Sequence, residues 1–294
     1  MEAVPSSGGL SFRPLTPALG AEVLGVDLAA PMSEDTFRKI EEAFNQYSVL
    51  VFRGQDLTED QHVAFSRRFG ELEIHVRSDA VKKTHPELFV VSNVIENGKP
   101  IGSIDAGQFW HTDLSYKKEP SRGSLLLSRE VPVKDGVARG DTLFVSTAAA
   151  YDALDEPTKA ELAPLYAVHH YEKGYLRDRP SGKRPPLTDA QRRAVPDVEH
   201  PVVRTHPYTG RKCLFVNEGY TTEIVGMEKE AGQRLLNRLF EHCVRPEFQY
   251  RHRWQVGDLV MWDNCATQHL AVNDYDATMR RRMERTTLKG SAPF

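Results

Sequence analysis

Apolar residues recur along this chain at two different spacings. Phe37, Ile40 and Phe44 fall three and four apart, which predicts a helix over 34–46 with one apolar face and Ser33 as its N-cap. Thr58-Glu59-Asp60-Gln61 has the form of a capping box and opens a second helix running to about Phe69. Ala231, Leu235, Leu239 and Cys243 recur every four residues, with Leu236 and Phe240 beside them, and predict a third. Ser146 is placed to cap a short helix through Leu154.

Elsewhere the apolar runs are short. Segments 48–52, 88–91, 124–128, 141–145, 258–262 and 283–288 read as strands, and 248–254 alternates in side-chain size. Two further runs, 200–205 and 212–216, flank Pro207-Tyr208-Thr209-Gly210 and predict a hairpin. Residues 172–200 are rich in Arg, Lys and Pro without periodicity and read as a long excursion, a length that in compact domains often serves as a lid or binding loop. Many short strands, few strong helices and no alternating βαβ pattern predict a mainly β fold with added helices, a β-sandwich of jelly-roll type. A disordered arm over 1–10 and a single domain over 11–294 are expected.

Composition narrows the function classes. A net charge of -3 gives no electrostatic reason to expect nucleic acid as a partner, and no apolar run approaches the roughly 18 residues of a membrane span. The first residues lack both the basic charge and the apolar core of a secretory signal, so a cytoplasmic protein is expected. Cys213, Cys243 and Cys265 are odd in number and widely spaced, which suggests reduced thiols and not a disulfide framework; Cys265 lies close in sequence to His269.

The candidate chemistry sits in two segments far apart in sequence. His111 and Asp113 of Phe109-Trp110-His111-Thr112-Asp113 are two apart, so on an extended strand they leave the same face. His269 closes the segment that begins Trp262-Asp263-Asn264. Two imidazoles and one carboxylate can hold one face of an octahedral Fe(II) and leave three positions open. The same set also suits zinc, so hydrolysis or a non-catalytic anion-binding jelly roll stand as alternatives on spacing alone. Within Arg280-Arg281-Arg282-Met283-Glu284-Arg285, Arg281 and Arg285 are four apart and share a strand face. Two inward arginines imply two anions, because a lone buried cation is costly; a solvated basic run is the other reading.

The order His-Thr-Asp, Gly140-Asp141-Thr142, Trp262-Asp263-Asn264 with His269, then Arg281, resembles the Fe(II)/2-oxoglutarate-dependent dioxygenases of the taurine dioxygenase and 2,4-dichlorophenoxyacetate dioxygenase family. The likeness extends through Gly20–Leu28, Arg67-Arg68-Phe69-Gly70, Val202–Pro207 and Leu214–Gly219. It implies a double-stranded β-helix whose mouth holds Fe(II) on His111, Asp113 and His269. Thr142 and Arg281 would bind the distal carboxylate of the cosubstrate 2-oxoglutarate, and Arg280 competes with Arg281 because the chain carries one extra residue between Tyr275 and Arg285 than the taurine enzyme. Arg285 and His75 would face the substrate anion, with Tyr175 and Tyr220 at two aromatic pocket positions. The implied reaction uses O2, yields succinate and CO2, and hydroxylates a small organic anion, either an alkylsulfonate of taurine type or a phenoxyalkanoate, sulfate ester or amino-acid-like compound. Assembly as a dimer or tetramer is usual among such relatives. Lys134–Ala138 reads as an insertion. Trp254 and Trp262 are expected as core or wall residues, and His62, His85, His169, His170, His200, His206, His242 and His252 lack partners at ligand-like spacing.

Overall fold

The computed structural model describes residues 9–74, 81–82, 84–103, 107–177 and 186–294. A seven-stranded sheet forms its centre, in the order Ser11–Pro14, Ala21–Leu24, Val49–Phe52, Leu259–Asp263, Gly123–Glu130, Arg282–Leu288, Phe89–Ser92. All neighbours are antiparallel except Ala21–Leu24 against Val49–Phe52. A second sheet of Gln249–His252, Thr142–Ser146 and Thr267–Ala271 faces it. This is the jelly roll that the strand pattern predicts.

Alternation along the central strands explains the layering. Val49, Val51, Leu126, Val260 and Trp262 point inward, where they meet Phe144 and Tyr250 of the second sheet. Leu50, Phe52, Leu125, Leu127, Leu259 and Met261, one residue out of step, point the other way. That outer face is covered by the helices Glu34–Tyr47 and Glu59–Arg67 through Phe37, Ile40, Phe44, Val63 and Phe65. Strands buried on both faces therefore read as continuous apolar runs, as 48–52 and 124–128 do.

Ser33 accepts a hydrogen bond from the Thr36 amide, and Thr58 and Gln61 close the predicted capping box. Ser48 ends the first helix at φ 61, outside the strand, which begins at Val49. A third core forms where Leu235, Leu236, Leu239 and Cys243 of the helix Lys229–Cys243 pack on Ala167, Val203, Leu214 and Ile224.

Several expectations need correction. The excursion over 172–200 holds the helices Tyr171–Arg177 and Asp189–Ala194 and the strand Val198–Pro201, while 178–185 lie outside the described residues. Thr188 and Gln191 make a capping box there; six-residue elements are too short for periodicity to register. His200 and Pro201 pair with Tyr166–His169 and not with the hairpin, whose strands are Val203–Thr205 and Lys212–Leu214. The insertion at 134–138 is itself a small hairpin, with Asp135 at φ 53 and Gly136 at φ 76 as its turn. No helix among the described residues is long and apolar enough to cross a membrane.

Candidate active site

His111 and His269 are brought together by backbone. Their residues form an isolated antiparallel bridge in which His111 N–H donates to the His269 carbonyl at 3.1 Å and His269 N–H donates back at 2.9 Å. Both rings leave the same side, with centroids 4.1 Å apart. The bridge is a single residue pair and not the extended strand expected around His111. After it the chain turns, with Leu114 at φ 57, and side-chain bonds place Asp113. The Asn264 amide oxygen accepts from Asp113 N–H at 3.3 Å, Ser121 donates to the Asp113 carbonyl at 3.1 Å, and Ser124 donates to Asp113 Oδ2 at 2.7 Å. Asp113 Oδ1 is then 3.7 Å from His111 Nε2, and Asp113 Oδ2 is 3.9 Å from His269 Nε2. All three donor atoms lie within 4.8 Å of one another and are buried.

The protonation states suit a metal. His111 Nδ1 lies 2.8 Å from the Phe109 carbonyl, which can only accept, so Nδ1 is the donor there and a metal bond falls to Nε2. Burial and the adjacent His111 hold His269 well below its ordinary range, hence neutral. Burial pushes Asp113 up, but the guanidinium of Arg285, with Nη1 at 3.0 Å, holds it well below the usual carboxylate range.

Beside this triad lies a cavity lined by His111, His269, Thr142, Arg281 and Arg285 and walled by Val91, Leu126 and Trp262. Thr142 reaches it because it shares the inward face of its strand with Phe144, opposite Ala271 and His269. Arg281 stands one residue before the Arg282–Leu288 strand. Asn93 accepts its backbone N–H at 2.8 Å, and Ser92 donates to its carbonyl at 2.8 Å. Its side chain is 4% exposed, and its Nε has no acceptor among the described residues. Desolvation lowers its pKa, with Tyr275 opposing. Gly140 lies against it: a Cβ there would come 3.1 Å from Arg281 Nε and 3.0 Å from the Tyr275 ring. Arg280 instead pairs with Glu130 at the surface, at 2.5 Å, and takes no part in the cavity. A buried guanidinium with a free donor is costly unless an anion joins it, so this cavity is built for a carboxylate-like group.

Other candidate residues fall at different distances. The Tyr220 ring lies 6.2 Å from His111 and 4.9 Å from Tyr116, whose ring is 4.6 Å from Tyr171. Tyr175 stands at the outer end of this row, 5.8 Å from Tyr171. His75 lies outside the described residues. Cys265 is not beside the triad. It belongs to a second buried group with His206 and Asp263. In that group His206 Nδ1 accepts from the amides of Tyr208 and Thr209, while Nε2 bonds Asp263 at 2.8 Å. Both His206 nitrogens are thus taken, and burial raises the Cys265 thiol well above its usual range, so the group braces the loop. Trp110 and Gln268 face the opposite way from their histidine neighbours, into a separate cavity of about 460 Å³ under the helix Lys229–Cys243.

Ser121, Ser124 and Asn264 were not singled out from the sequence, because isolated short polar side chains, Ser124 on a strand and Ser121 and Asn264 just outside one, carry no spacing signature. Trp254, expected as a core or wall residue, is buried in the core, and its indole Nε1 also donates to Thr142 Oγ1 at 3.0 Å.

The family model for taurine catabolism dioxygenases, TauD and TfdA, matches residues 11–287. The chain belongs to the TauD/TfdA family. It is 39% identical over 286 residues to the alpha-ketoglutarate-dependent 2,4-dichlorophenoxyacetate dioxygenase of Cupriavidus pinatubonensis, covering 94% of this chain and 96% of that one. It is 33% identical to the alpha-ketoglutarate-dependent sulfate ester dioxygenase of Pseudomonas putida, covering 100% and 94%. Among solved structures it resembles AAD-2 in complex with Mn(II) and N-oxalylglycine, with a TM-score of 0.80, 34% identity, and coverage of 97% and 99%. The TauD/TfdA members named here thus take different substrates on one scaffold.

Proposed function

We propose that this protein is an Fe(II)- and 2-oxoglutarate-dependent dioxygenase that hydroxylates a small organic anion. The observation that carries this reading is the buried Arg281 guanidinium, short of an acceptor and sharing one cavity with Thr142, His111 and His269. That pairing of anion site and His2Asp set suits a keto-acid cosubstrate, whereas a zinc hydrolase has no use for it.

His111, Asp113 and His269 would hold the iron, since two imidazoles with one carboxylate are a donor set that suits Fe(II). When bound, iron supplies the capacity to activate O2 and couple oxidation of 2-oxoglutarate to succinate and CO2 with hydroxylation of a C–H bond. Arg281 and Thr142 grip the distal carboxylate, fixing which way the keto acid enters. Arg285, whose Nε is also without an acceptor among the described residues, takes the anionic group of the substrate. Trp262 and Phe144, with rings 4.8 and 6.1 Å from His269, keep water from that flank.

For the substrate, the row Tyr220, Tyr116 and Tyr171 together with Phe109 favours an aromatic anion of aryloxyalkanoate type over an alkylsulfonate. An aromatic wall near the metal offers edge and face contacts to a ring and little to an aminoethyl chain. The 39% identity to a 2,4-dichlorophenoxyacetate dioxygenase supports the same choice. Iron-loaded protein should release succinate and consume O2 faster with phenoxyalkanoates than with taurine or sulfate esters. Turnover confined to an aliphatic sulfonate would overturn the substrate class, and no 2-oxoglutarate turnover with any member of the panel would count against the reaction itself.

A further inference from the structure

Trp254 is 1% exposed and follows the Gln249–His252 strand. Its ring meets His252 edge to face at 4.5 Å, and the His252 backbone pairs with Thr142 across the sheet. The indole Nε1–H therefore arrives at Thr142 Oγ1 from the strand side, at 3.0 Å. An indole can only donate, while a threonine hydroxyl offers two acceptor directions and a single proton. Once Trp254 fills one acceptor direction, the hydroxyl proton is turned away from it. No acceptor for that proton occurs among the described residues, and the open side of Thr142 is the cavity that Arg281 and Arg285 also line.

We infer that Trp254 is a positioning residue for the cosubstrate: it sets the Thr142 hydroxyl as a donor aimed at the distal carboxylate of 2-oxoglutarate. Without it the hydroxyl rotates freely, and the anion meets a mixture of donor and lone pair. The inference rests on the assignment of Thr142 and Arg281 to that carboxylate.

Trp254→Phe keeps a ring against His252 and removes the donor, with some loss of buried volume that the pyruvate comparison controls for. Calorimetric titration of anaerobic, Fe(II)-loaded protein should show 2-oxoglutarate binding weakened roughly tenfold, the size of one lost charge-assisted hydrogen bond. Pyruvate has the same chelating keto acid and no distal carboxylate, so its affinity should change less than about twofold. In the Thr142→Ala background the same substitution should add nothing further, because the two residues act as one unit. Equal weakening for pyruvate, or additive losses in the double variant, would overturn the inference, as would an unchanged 2-oxoglutarate affinity beside a weakened Thr142→Ala. Unchanged binding in Thr142→Ala itself would instead sink the cosubstrate assignment.

Should Trp254→Phe fail to fold, 15N-tryptophan-labelled wild type loaded with Zn(II) provides the second test. The indole N–H resonance that moves in Thr142→Ser should also move on adding 2-oxoglutarate and stay in place with pyruvate; a resonance blind to 2-oxoglutarate overturns the inference.

Discussion

Arg281 and Arg280 are adjacent in sequence and opposite in circumstance. Arg281 is buried with a free donor, while Arg280 lies at the surface on Glu130. Arg281→Ala should raise the KM for 2-oxoglutarate by on the order of a hundredfold, since a fork-shaped, charge-assisted contact is lost, and Arg280→Ala should change it less than about twofold. Steady-state kinetics on the two variants checks this, and equal effects would undo the assignment. Ser124 acts on the metal side. Its hydroxyl at 2.7 Å from Asp113 Oδ2 fixes the carboxylate's rotation against the imidazoles. Ser124→Ala should weaken Fe(II) binding about 10–100-fold, the usual cost of losing an outer hydrogen bond to a metal-binding carboxylate. Competition titration against a chelator reads the change directly; an affinity equal to wild type would mean that Arg285 and Asn264 hold Asp113 unaided.

At the scale of elements, the inner and outer faces of the central sheet answer to different residues. Phe44 of the helix Glu34–Tyr47 is fully buried against the outer face, with its ring edge-on to Phe69 at 5.9 Å. Phe44→Ala should cost about 3–5 kcal/mol in urea unfolding, because the rigid sheet cannot collapse into the void. The same variant should leave the 2-oxoglutarate affinity of the folded fraction near wild type, since the site opens on the other face. The helices were legible because Ser33, Thr58 and Gln61 are strong local start signals and the apolar faces that follow run for several turns. The strands Ser11–Pro14, Ala21–Leu24 and Thr221–Ile224 were not, because four residues with mixed exposure take their structure from neighbours far along the chain. Much the same divides the site. His111, Asp113 and His269 stand out as a chemically unusual trio, whereas the hydroxyls and the indole around them are ordinary residues until the sheets bring Thr142, Trp254 and Ser124 into place.

Across the whole molecule, the Arg282–Leu288 strand joins the site to the helical layer, with Arg285 facing the cavity and Glu284 facing the helices. Glu284 is paired with Lys82 at 2.5 Å and Arg129 at 2.8 Å, and His62 of the helix Glu59–Arg67 lies buried nearby. Burial raises the Glu284 pKa, but these cations outweigh it and bring it to about 2. Burial lowers His62 from 6.5 to about 4, with the Glu284 charge opposing. Both shifts work in the same direction. The unfolded chain binds a proton at His62 near pH 6.5 and the folded one only near 4, so this stabilisation is complete above 6.5 and drains away as pH falls to about 4. Its size is about 3 kcal/mol for His62 taken alone. Glu284 adds a second loss at lower pH, from its unfolded value of 4.5 down toward 2. Urea unfolding should therefore weaken progressively between pH 6.5 and 4, before most carboxylates titrate, and His62→Gln should make that limb shallower by its own share, leaving in place the part that buried His169 and His269 contribute and the loss below 4.5. A wild-type midpoint level across pH 6.5 to 4 would mean that His62 takes up its proton without opening the joint between helix and sheet.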